Sequence, residues 1–272
     1  MNYPLEPGGV GDYPIKVGSM LLTLVDPTPG FEVAYNRWYE RDHFYAGCMI
    51  GPWLFAGSRW VATRDLKDRR WPSDDETVAC PPDAGSYVAI YYVERGHHED
   101  HFSDWARPQV NALYADGRGF PERRHIHTIL FDHLGAVYRD DDPVPIELAL
   151  DASYNGIVLA WFDARDGDAS ALHEELTTRS PLAGTTIECM SSWTPSPGEN
   201  EPRNVPMDLG SKAGGPERLL QMFFVRGDVR DALPTLRTYT DGIERDGLAT
   251  VRLVAPFFRT VVGTDSYVDE LW

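Results

Sequence analysis

The sequence predicts an α+β protein made of two consecutive βαββαβ units. Short apolar runs, typical of strands, and segments with helical spacing follow each other in one order in the first half of the chain. The same order recurs after an acidic stretch that contains proline. Residues 87–93 and Trp60 of the first unit correspond to residues 219–225 and Trp193 of the second, at nearly equal separations along the chain. Hydrophobic residues make up 42% of the chain and aromatic residues 12%, which favours a well-packed core over disorder.

The first unit follows a short N-terminal arm. Apolar runs that contain β-branched and aromatic residues predict strands over 19–26, 53–63, 86–93 and 123–131. Aromatic and charged residues at helical spacing predict helices over 31–44 and 99–115. A polar stretch over 64–84, which contains several prolines, predicts a loop between the second and third strands.

The second unit repeats this order after the stretch 139–151, which is acidic, contains proline and predicts a linker. Its predicted strands are 156–162, 185–193, 219–225 and 249–258, and its predicted helices are 169–178 and 228–244. A long loop rich in proline and glycine spans 194–216. The predicted division is therefore an arm over 1–18, a first unit over 19–138, a linker over 139–151 and a second unit over 152–272.

Charge and cysteine content narrow the class of protein. A formal net charge of −17 removes any general attraction to nucleic acid or to anionic membranes. The spacing of the three cysteines indicates neither a disulfide framework nor a metal site. The first residues lack the pattern of a secretory signal peptide. We therefore expect a soluble cytoplasmic protein. Motifs for nucleotide cofactors and the serine-hydrolase elbow are missing.

One segment carries a family resemblance. Residues 35–43 place Trp38 and Tyr39 before His43, and residues 57–60 supply a glycine-containing strand. This pattern resembles the EthD-like members of the dimeric α+β barrel superfamily. The resemblance implies two ferredoxin-like units whose sheets face each other around a cavity, here within one chain. It implies no single reaction, since such proteins resemble monooxygenases, cyclases, isomerases, haem-binding dehydratases and proteins without assigned activity.

The histidines point to the first unit as the place of any chemistry. Seven of the eight histidines lie there, and imidazole exchanges protons near neutral pH. Tyr39 and His43 lie four residues apart and should share one helical face with Trp38 beside them, either as an acid/base site or as ordinary core residues near a helix end. His125 and His127 alternate along a predicted strand, so both should point to one face, which either lines a cavity or meets solvent.

A second group of histidines lies at the start of a predicted helix. His97, His98 and His101 are close in sequence, and imidazoles three residues apart can share a metal ion. The spacing is not HExxH, and Glu99 and Asp100 suit a polar helix start, so we predict no metal site here. Neither a divalent metal nor haem is excluded by the sequence.

The resulting hypothesis is an enzyme for a small apolar, aromatic or polyketide-like metabolite that works by acid/base chemistry without a cofactor. It would be an isomerase, cyclase, lyase or oxygenase. His43, Tyr39, His125 and His127 are the candidate catalytic residues, and Trp38, Arg59 and Trp60 are the candidate substrate-binding residues. The alternatives are a protein that binds a ligand or haem without turnover and a histidine-ligated metal site. The expected partner is a small molecule, and a homodimer is left open.

Overall fold

The computed structural model describes residues 15–198 and 206–272, and eight antiparallel strands in this part of the chain close into a barrel. The strands are β1 (Val17–Pro27), β2 (Leu54–Val61), β3 (Tyr87–Glu94), β4 (Arg123–Tyr138), β5 (Gly156–Ala164), β6 (Ile187–Pro195), β7 (Arg218–Val225) and β8 (Ala249–Arg259). All eight predicted strands are therefore confirmed, with β4 longer than predicted. Most of the predicted arm, and residues 199–205 of the predicted loop, lie outside the described residues.

The barrel consists of two four-stranded sheets with the same internal order. The first sheet runs β4-β1-β3-β2 and the second runs β8-β5-β7-β6. The sheets join where β2 pairs with β8 and where β4 pairs with β6. Each half thus has the ferredoxin-like βαββαβ arrangement, and the two halves form one α+β barrel, as predicted.

Helices lie on the outer side of each sheet. The first half contains α1 (Glu32–Trp38), α2 (Arg64–Lys67), α3 (His98–His101) and α4 (Arg107–Ala115), and the second contains α5 (Ala169–Thr178) and α6 (Val229–Arg245). Two 3₁₀ turns occupy Ile146–Leu148 and Val268–Glu270. In the described residues no helix is long and apolar enough to cross a membrane.

Both long helical stretches of the first half contain π-helical turns. Such turns follow α1 over Tyr39–His43 and Tyr45–Met49, and another, Phe102–Ala106, separates α3 from α4. Pro108 lies in the first turn of α4, where it has no N–H to donate to the preceding turn. Helical structure therefore extends to Met49, beyond the predicted end at residue 44.

Side chains alternate between the two sides of each sheet. Along β3, Tyr87, Ala89, Tyr91 and Val93 pack in the layer under the helices, whereas Val88, Ile90 and Tyr92 belong to the main core. Three completely buried tryptophans, Trp60, Trp161 and Trp193, help to fill that core. These and other bulky side chains fill much of the space between the two facing sheets.

The last strand of each half carries a bulge at the same place. Between β1 and β4 the register shifts so that Ile126 is an extra residue, and between β5 and β8 it shifts at Arg252. A bulge reverses the alternation of side chains beyond it. This irregularity decides which histidines of β4 face the helices.

The predicted linker and the C-terminal segment pack against the rest of the described chain. The predicted linker buries Ile146, Ala149 and Leu150, and residues 260–272 return to α1. There, Asn36 donates to the carbonyl of Thr264 at 2.8 Å. The division of the chain into separate units at residues 139–151 stays a prediction.

Candidate functional site

A cavity of about 130 Å³ lies between the first sheet and the helices that cover it. Its lining is largely apolar, with a few polar groups that converge on it, as is typical of small-molecule sites. The lining residues are Leu21, Thr23, Tyr39, His43, Gly47, Cys48, Leu54, Tyr91, His101, Phe102, Ala106, Arg107, Val110, Arg123, His125, Thr128, Leu130, Met207 and Leu209.

His125 is held by the sheet and aimed into this cavity. Its Nδ1 lies 2.7 Å from the hydroxyl of Thr128 and 3.4 Å from that of Thr23, and these two hydroxyls are 2.9 Å apart. Its Nε2 is buried and has no hydrogen-bond partner in the described structure. One ring nitrogen is thus anchored, and the other is free to meet a ligand.

His127 faces away from the cavity, contrary to the expectation that it would share a face with His125. The bulge at Ile126 places His125 opposite Val25 and His127 opposite Leu24, which belongs to the main core. His127 Nδ1 lies 2.7 Å from the hydroxyl of Ser211, and its ring meets Trp161 edge-on. An alternating pattern read from sequence does not reveal an inserted residue.

His43 reaches the cavity from the π-helical turn after α1. The Phe44 N–H donates to the Tyr39 carbonyl, five residues earlier, as in a π-helical turn. In such a turn, residues i and i+5 lie one above the other. The imidazole of His43 accordingly stacks on Trp38, with ring centroids 4.5 Å apart. Gly47 makes room for it, since a Cβ there would lie 2.7 Å from His43 Nδ1.

Two tyrosine hydroxyls and a cysteine thiol, which are weakly acidic groups, line the cavity and are hydrogen-bonded to one another. The hydroxyls of Tyr39 and Tyr91 are 2.6 Å apart, and Tyr91 also bonds the thiol of Cys48. Burial raises the pKa of both phenols and raises the pKa of Cys48 to about 12. These groups are therefore neutral hydrogen-bonding groups, and Cys48 is not an activated nucleophile.

Two arginines of the first sheet have different surroundings. Arg123 lines the cavity, lies over the ring of Trp38 at 4.6 Å and donates to the hydroxyl of Tyr114 at 2.5 Å. Arg59 does not line it: the guanidinium is buried over the ring of Tyr39 and donates to Asn36 at 3.0 Å. Arg59 is therefore placed to brace α1 against the sheet.

The two predicted tryptophans also lie outside the cavity lining. Trp60 is in the barrel core under Arg259, at 5.2 Å from ring centroid to guanidinium carbon. Trp38 stands behind His43 and Arg123, and its indole N–H donates to the carbonyl of Arg118 at 2.9 Å. The structure thus brings together His43, Tyr39 and His125 of the predicted site residues.

The cavity imidazoles of His43 and His125 are neutral at physiological pH. Burial is the main cause that lowers the pKa of His43 and of His125 to about 3, and the charge of Arg123 contributes to both. Neutral imidazole retains a lone pair on one nitrogen and a proton on the other. Each therefore has a free lone pair at neutral pH, and its lowered pKa makes it a weak base until a nearby anion stabilises the imidazolium.

A segment of the second half covers one side of the cavity. Met207 and Leu209 line it, and residues 209–211 pair with β4 beside the bulge. The Thr128 N–H donates to the Leu209 carbonyl at 3.0 Å, and the Ser211 N–H donates to the Ile126 carbonyl at 2.8 Å. The site in the first half is thus completed by the second.

The described strands of the second half have no matching set of polar groups at this place. In the equivalent register of β5 and β8, Ala160, Val254 and Val251 stand where Thr23, Thr128 and His125 stand in the first half. All three are buried apolar residues. That the first half carries the chemistry stays a prediction.

The remaining histidines do not converge on one point. His97 Nδ1 lies 2.7 Å from Asp100, and His101 Nδ1 lies 2.7 Å from the Pro52 carbonyl. The ring of His98 packs against Phe102. Within 15–198 and 206–272 there is no group of three or more His, Cys, Asp or Glu side chains that could hold a metal ion.

Haem, which the sequence left open, does not fit this cavity. A volume of about 130 Å³ is close to that of a cavity that holds a single benzene, roughly 150 Å³. A tetrapyrrole is several times larger than one ring. This volume has room for about one ring.

Several cavity residues were not predicted. Arg123 precedes His125 by two positions on the same strand, so strict alternation would have placed both side chains on one face. Thr23, Thr128, Tyr91 and Cys48 carry no comparable sequence signal. They become recognisable only when β1, β3 and β4 are placed side by side.

Comparisons with known proteins show a shared fold. No protein-family model matches the sequence, and a search of curated protein sequences finds no match. A candidate monooxygenase from Fusobacterium nucleatum subsp. nucleatum superposes with a TM-score of 0.51 at 11% identity, covering 90% of this chain and 93% of that one. An anthrone oxidase-like protein superposes with a TM-score of 0.50 at 7% identity, covering 92% and 95%. The chain has the dimeric α+β barrel fold, with both halves in one polypeptide.

Proposed function

We propose that the protein is an enzyme that removes a proton from a small single-ring or polyketide-like substrate, with His125 as the base. The observation that carries this proposal is the anchored imidazole of His125, whose buried Nε2 has no partner and faces an apolar cavity. A base must have a free nitrogen in a fixed orientation, and a hydrogen bond at the other nitrogen provides that orientation.

The proton transfer uses one of the two tautomers of His125. When Nδ1–H donates to the Thr128 hydroxyl, Nε2 carries the lone pair. The substrate C–H bond breaks, its proton passes to Nε2, and the electron pair remains on the substrate as an enolate or phenolate. Arg123 stabilises this anion by its charge, and an O–H of the Tyr39–Tyr91 pair can donate to it.

The next step depends on where the proton returns. In an isomerisation, the conjugate acid of His125 or a second group returns a proton to another atom of the substrate. His43 is another imidazole of the cavity and is suited to that role. An oxygenase would instead pass the anion to dioxygen as co-substrate.

The test is solvent deuterium exchange measured by NMR. Phenylpyruvate and 4-hydroxy-6-methyl-2-pyrone each carry one ring and an acidic carbon, and we expect the protein to accelerate loss of that C–H signal in D₂O. His125→Gln should slow the exchange by about 10²–10⁴-fold, the usual contribution of a general base. Because the two structural relatives are described as a candidate monooxygenase and as anthrone oxidase-like, oxygen uptake is followed in the same samples.

The matched control is His97→Asn, which changes a histidine of the same half that does not line the cavity. It should exchange as fast as the wild-type protein. Equal rates for wild type and His125→Gln would disprove the role of His125 as base. Binding of these compounds without any exchange would identify a ligand-binding protein instead of an enzyme.

A further inference from the structure

The described lining of the cavity contains arginine and no carboxylate, in a strongly acidic protein. The chain has 42 Asp and Glu residues against 25 Lys and Arg residues. Yet the described lining includes the cation Arg123, and none of its described members is Asp or Glu. In a chain of this composition, such a lining favours an anionic ligand.

Arg123 is the cation best placed to meet that ligand. Among the described residues no carboxylate forms an ion pair with it, although most other arginines of the chain have one. Its guanidinium is half-buried between the ring of Trp38 and the hydroxyl of Tyr114. A partly desolvated cation without a counter-ion is costly, so an anion that enters the cavity gains by pairing with it.

We infer that the cavity binds a single-ring aromatic or enolic monoanion, with Arg123 as its counter-ion. This inference rests on the proposed function in that the anion is the substrate on which His125 acts. The ring occupies the apolar part of the cavity, which Leu54, Phe102 and Leu130 line, and its carboxylate or enolate oxygen turns toward Arg123. The guanidinium has a fixed orientation because the Trp38 ring supports one face.

The experiment compares benzoate with its neutral analogue benzamide by isothermal titration calorimetry in about 0.15 M salt, near physiological ionic strength. Wild-type protein should bind benzoate at least tenfold more tightly than benzamide. Arg123→Met should lower the affinity for benzoate by about 10–100-fold, the range expected for loss of a charged hydrogen bond, and should leave benzamide unchanged. Arg124→Met is the control, since that neighbour pairs with Asp26 and does not line the cavity.

The variant Arg123→Lys provides a second measurement, which is needed if Arg123→Met does not fold. It retains the charge without the planar guanidinium, so its affinity for benzoate should lie between those of wild type and Arg123→Met. Equal binding of benzoate and benzamide by the wild-type protein would overturn the inference. Equal losses of benzoate affinity in Arg123→Met and Arg124→Met would also overturn it.

These outcomes are separate from those of the exchange experiment. If benzoate binds through Arg123 and no compound undergoes exchange, the anion site is supported and the proposed catalysis fails. If exchange requires His125 and benzoate binds no better than benzamide, the catalysis is supported and the anion site fails.

Discussion

A methyl group at Gly47 would collide with the imidazole of His43, because the Cβ would lie 2.7 Å from Nδ1 and 2.8 Å from Cε1. The ring cannot retreat, since Trp38 stacks on it. We therefore expect Gly47→Ala to cost about 1–3 kcal/mol of stability, as other overpacking substitutions do, and to slow substrate exchange by displacing His43. Urea unfolding and the deuterium-exchange assay measure the two effects.

Gly242→Ala is the matched control for Gly47→Ala. Gly242 lies inside α6, and a Cβ there would meet nothing closer than the Arg245 Nη2 at 3.6 Å. Alanine in a helix interior is about 0.5–1 kcal/mol more favourable than glycine, so this variant should be slightly stabilised and fully active. A Gly47→Ala variant with unchanged stability and exchange would show that His43 has more room than the geometry indicates.

Trp38 acts through its two neighbours, since it does not line the cavity. Its ring stacks on the imidazole of His43 and makes a cation–π contact with the guanidinium of Arg123. Trp38→Leu removes both contacts, and Trp38→Phe keeps a smaller aromatic face. Because a cation–π contact contributes about 0.5–2 kcal/mol, Trp38→Leu should weaken benzoate binding by roughly 2–30-fold, with partial rescue in Trp38→Phe.

A purely structural role of Trp38 would give a different result. Both variants would then lower the melting temperature, and the affinity of the folded protein for benzoate would stay at the wild-type value. Measuring affinity well below the melting temperature of each variant separates these cases. Benzamide serves as the internal control, because its binding does not depend on the charge of Arg123.

At the scale of elements, the sequence predicted the strands and helices well and their irregularities poorly. Apolar runs and helical spacing follow from which side chains are buried, so all eight strands appear at the predicted places. The bulge at Ile126 and the π-helical turn at Tyr39–His43 each insert one residue into a regular period. They separate His125 from His127 and stack His43 on Trp38, and no periodic pattern can show that.

The segment that covers the cavity is tied to the rest of the molecule through Ser211. Its hydroxyl lies 2.7 Å from His127 Nδ1 and donates to the Val78 carbonyl at 2.5 Å. Since the Ser211 hydroxyl donates to Val78, it accepts from the Nδ1–H of neutral His127, and because His127 is completely buried, Ser211→Ala leaves that N–H without a partner. We expect a loss of about 1–3 kcal/mol of stability, measured by urea unfolding, with little effect on benzoate affinity at low temperature.

Ser170→Ala is the control for that substitution. Ser170 is an exposed residue of α5, and the Asp168 side chain caps this helix by accepting from the Ser170 N–H. Removal of its hydroxyl should change stability by less than about 0.5 kcal/mol, as surface substitutions usually do. Equal stability of the two variants would mean that the contact between Ser211 and His127 contributes nothing.

At the scale of the whole molecule, closure of the barrel was available only from the family resemblance. The contacts that close it, β2 with β8 and β4 with β6, join residues far apart in sequence, and no local pattern specifies them. The asymmetry between the halves was predictable, because seven of the eight histidines lie in the first. Which of them face the cavity depended on the strand register.

Four histidines that are largely shielded from solvent should make the protein sensitive to mild acid. Burial lowers the pKa of His43, His125 and His127 to about 3 and that of His133 to about 4, against about 6.5 in the unfolded chain. Below pH 6.5 the unfolded state therefore binds more protons than the folded state, so the free energy of unfolding falls as the pH falls. Each such histidine contributes a slope of up to about 1.4 kcal/mol per pH unit.

The window between pH 6.5 and 4.5 isolates this effect, because the carboxylates that form ion pairs, such as Asp163, have lowered pKa values and lose their stabilising charge only at lower pH. Urea unfolding followed by tryptophan fluorescence should show a steep loss of stability across this window with an unchanged m-value. His133→Asn should make the slope shallower by the contribution of one group. A free energy of unfolding that stays constant from pH 6.5 to 4.5 would contradict the burial of four neutral imidazoles, and with it the neutral state of His125 on which its action as a base depends.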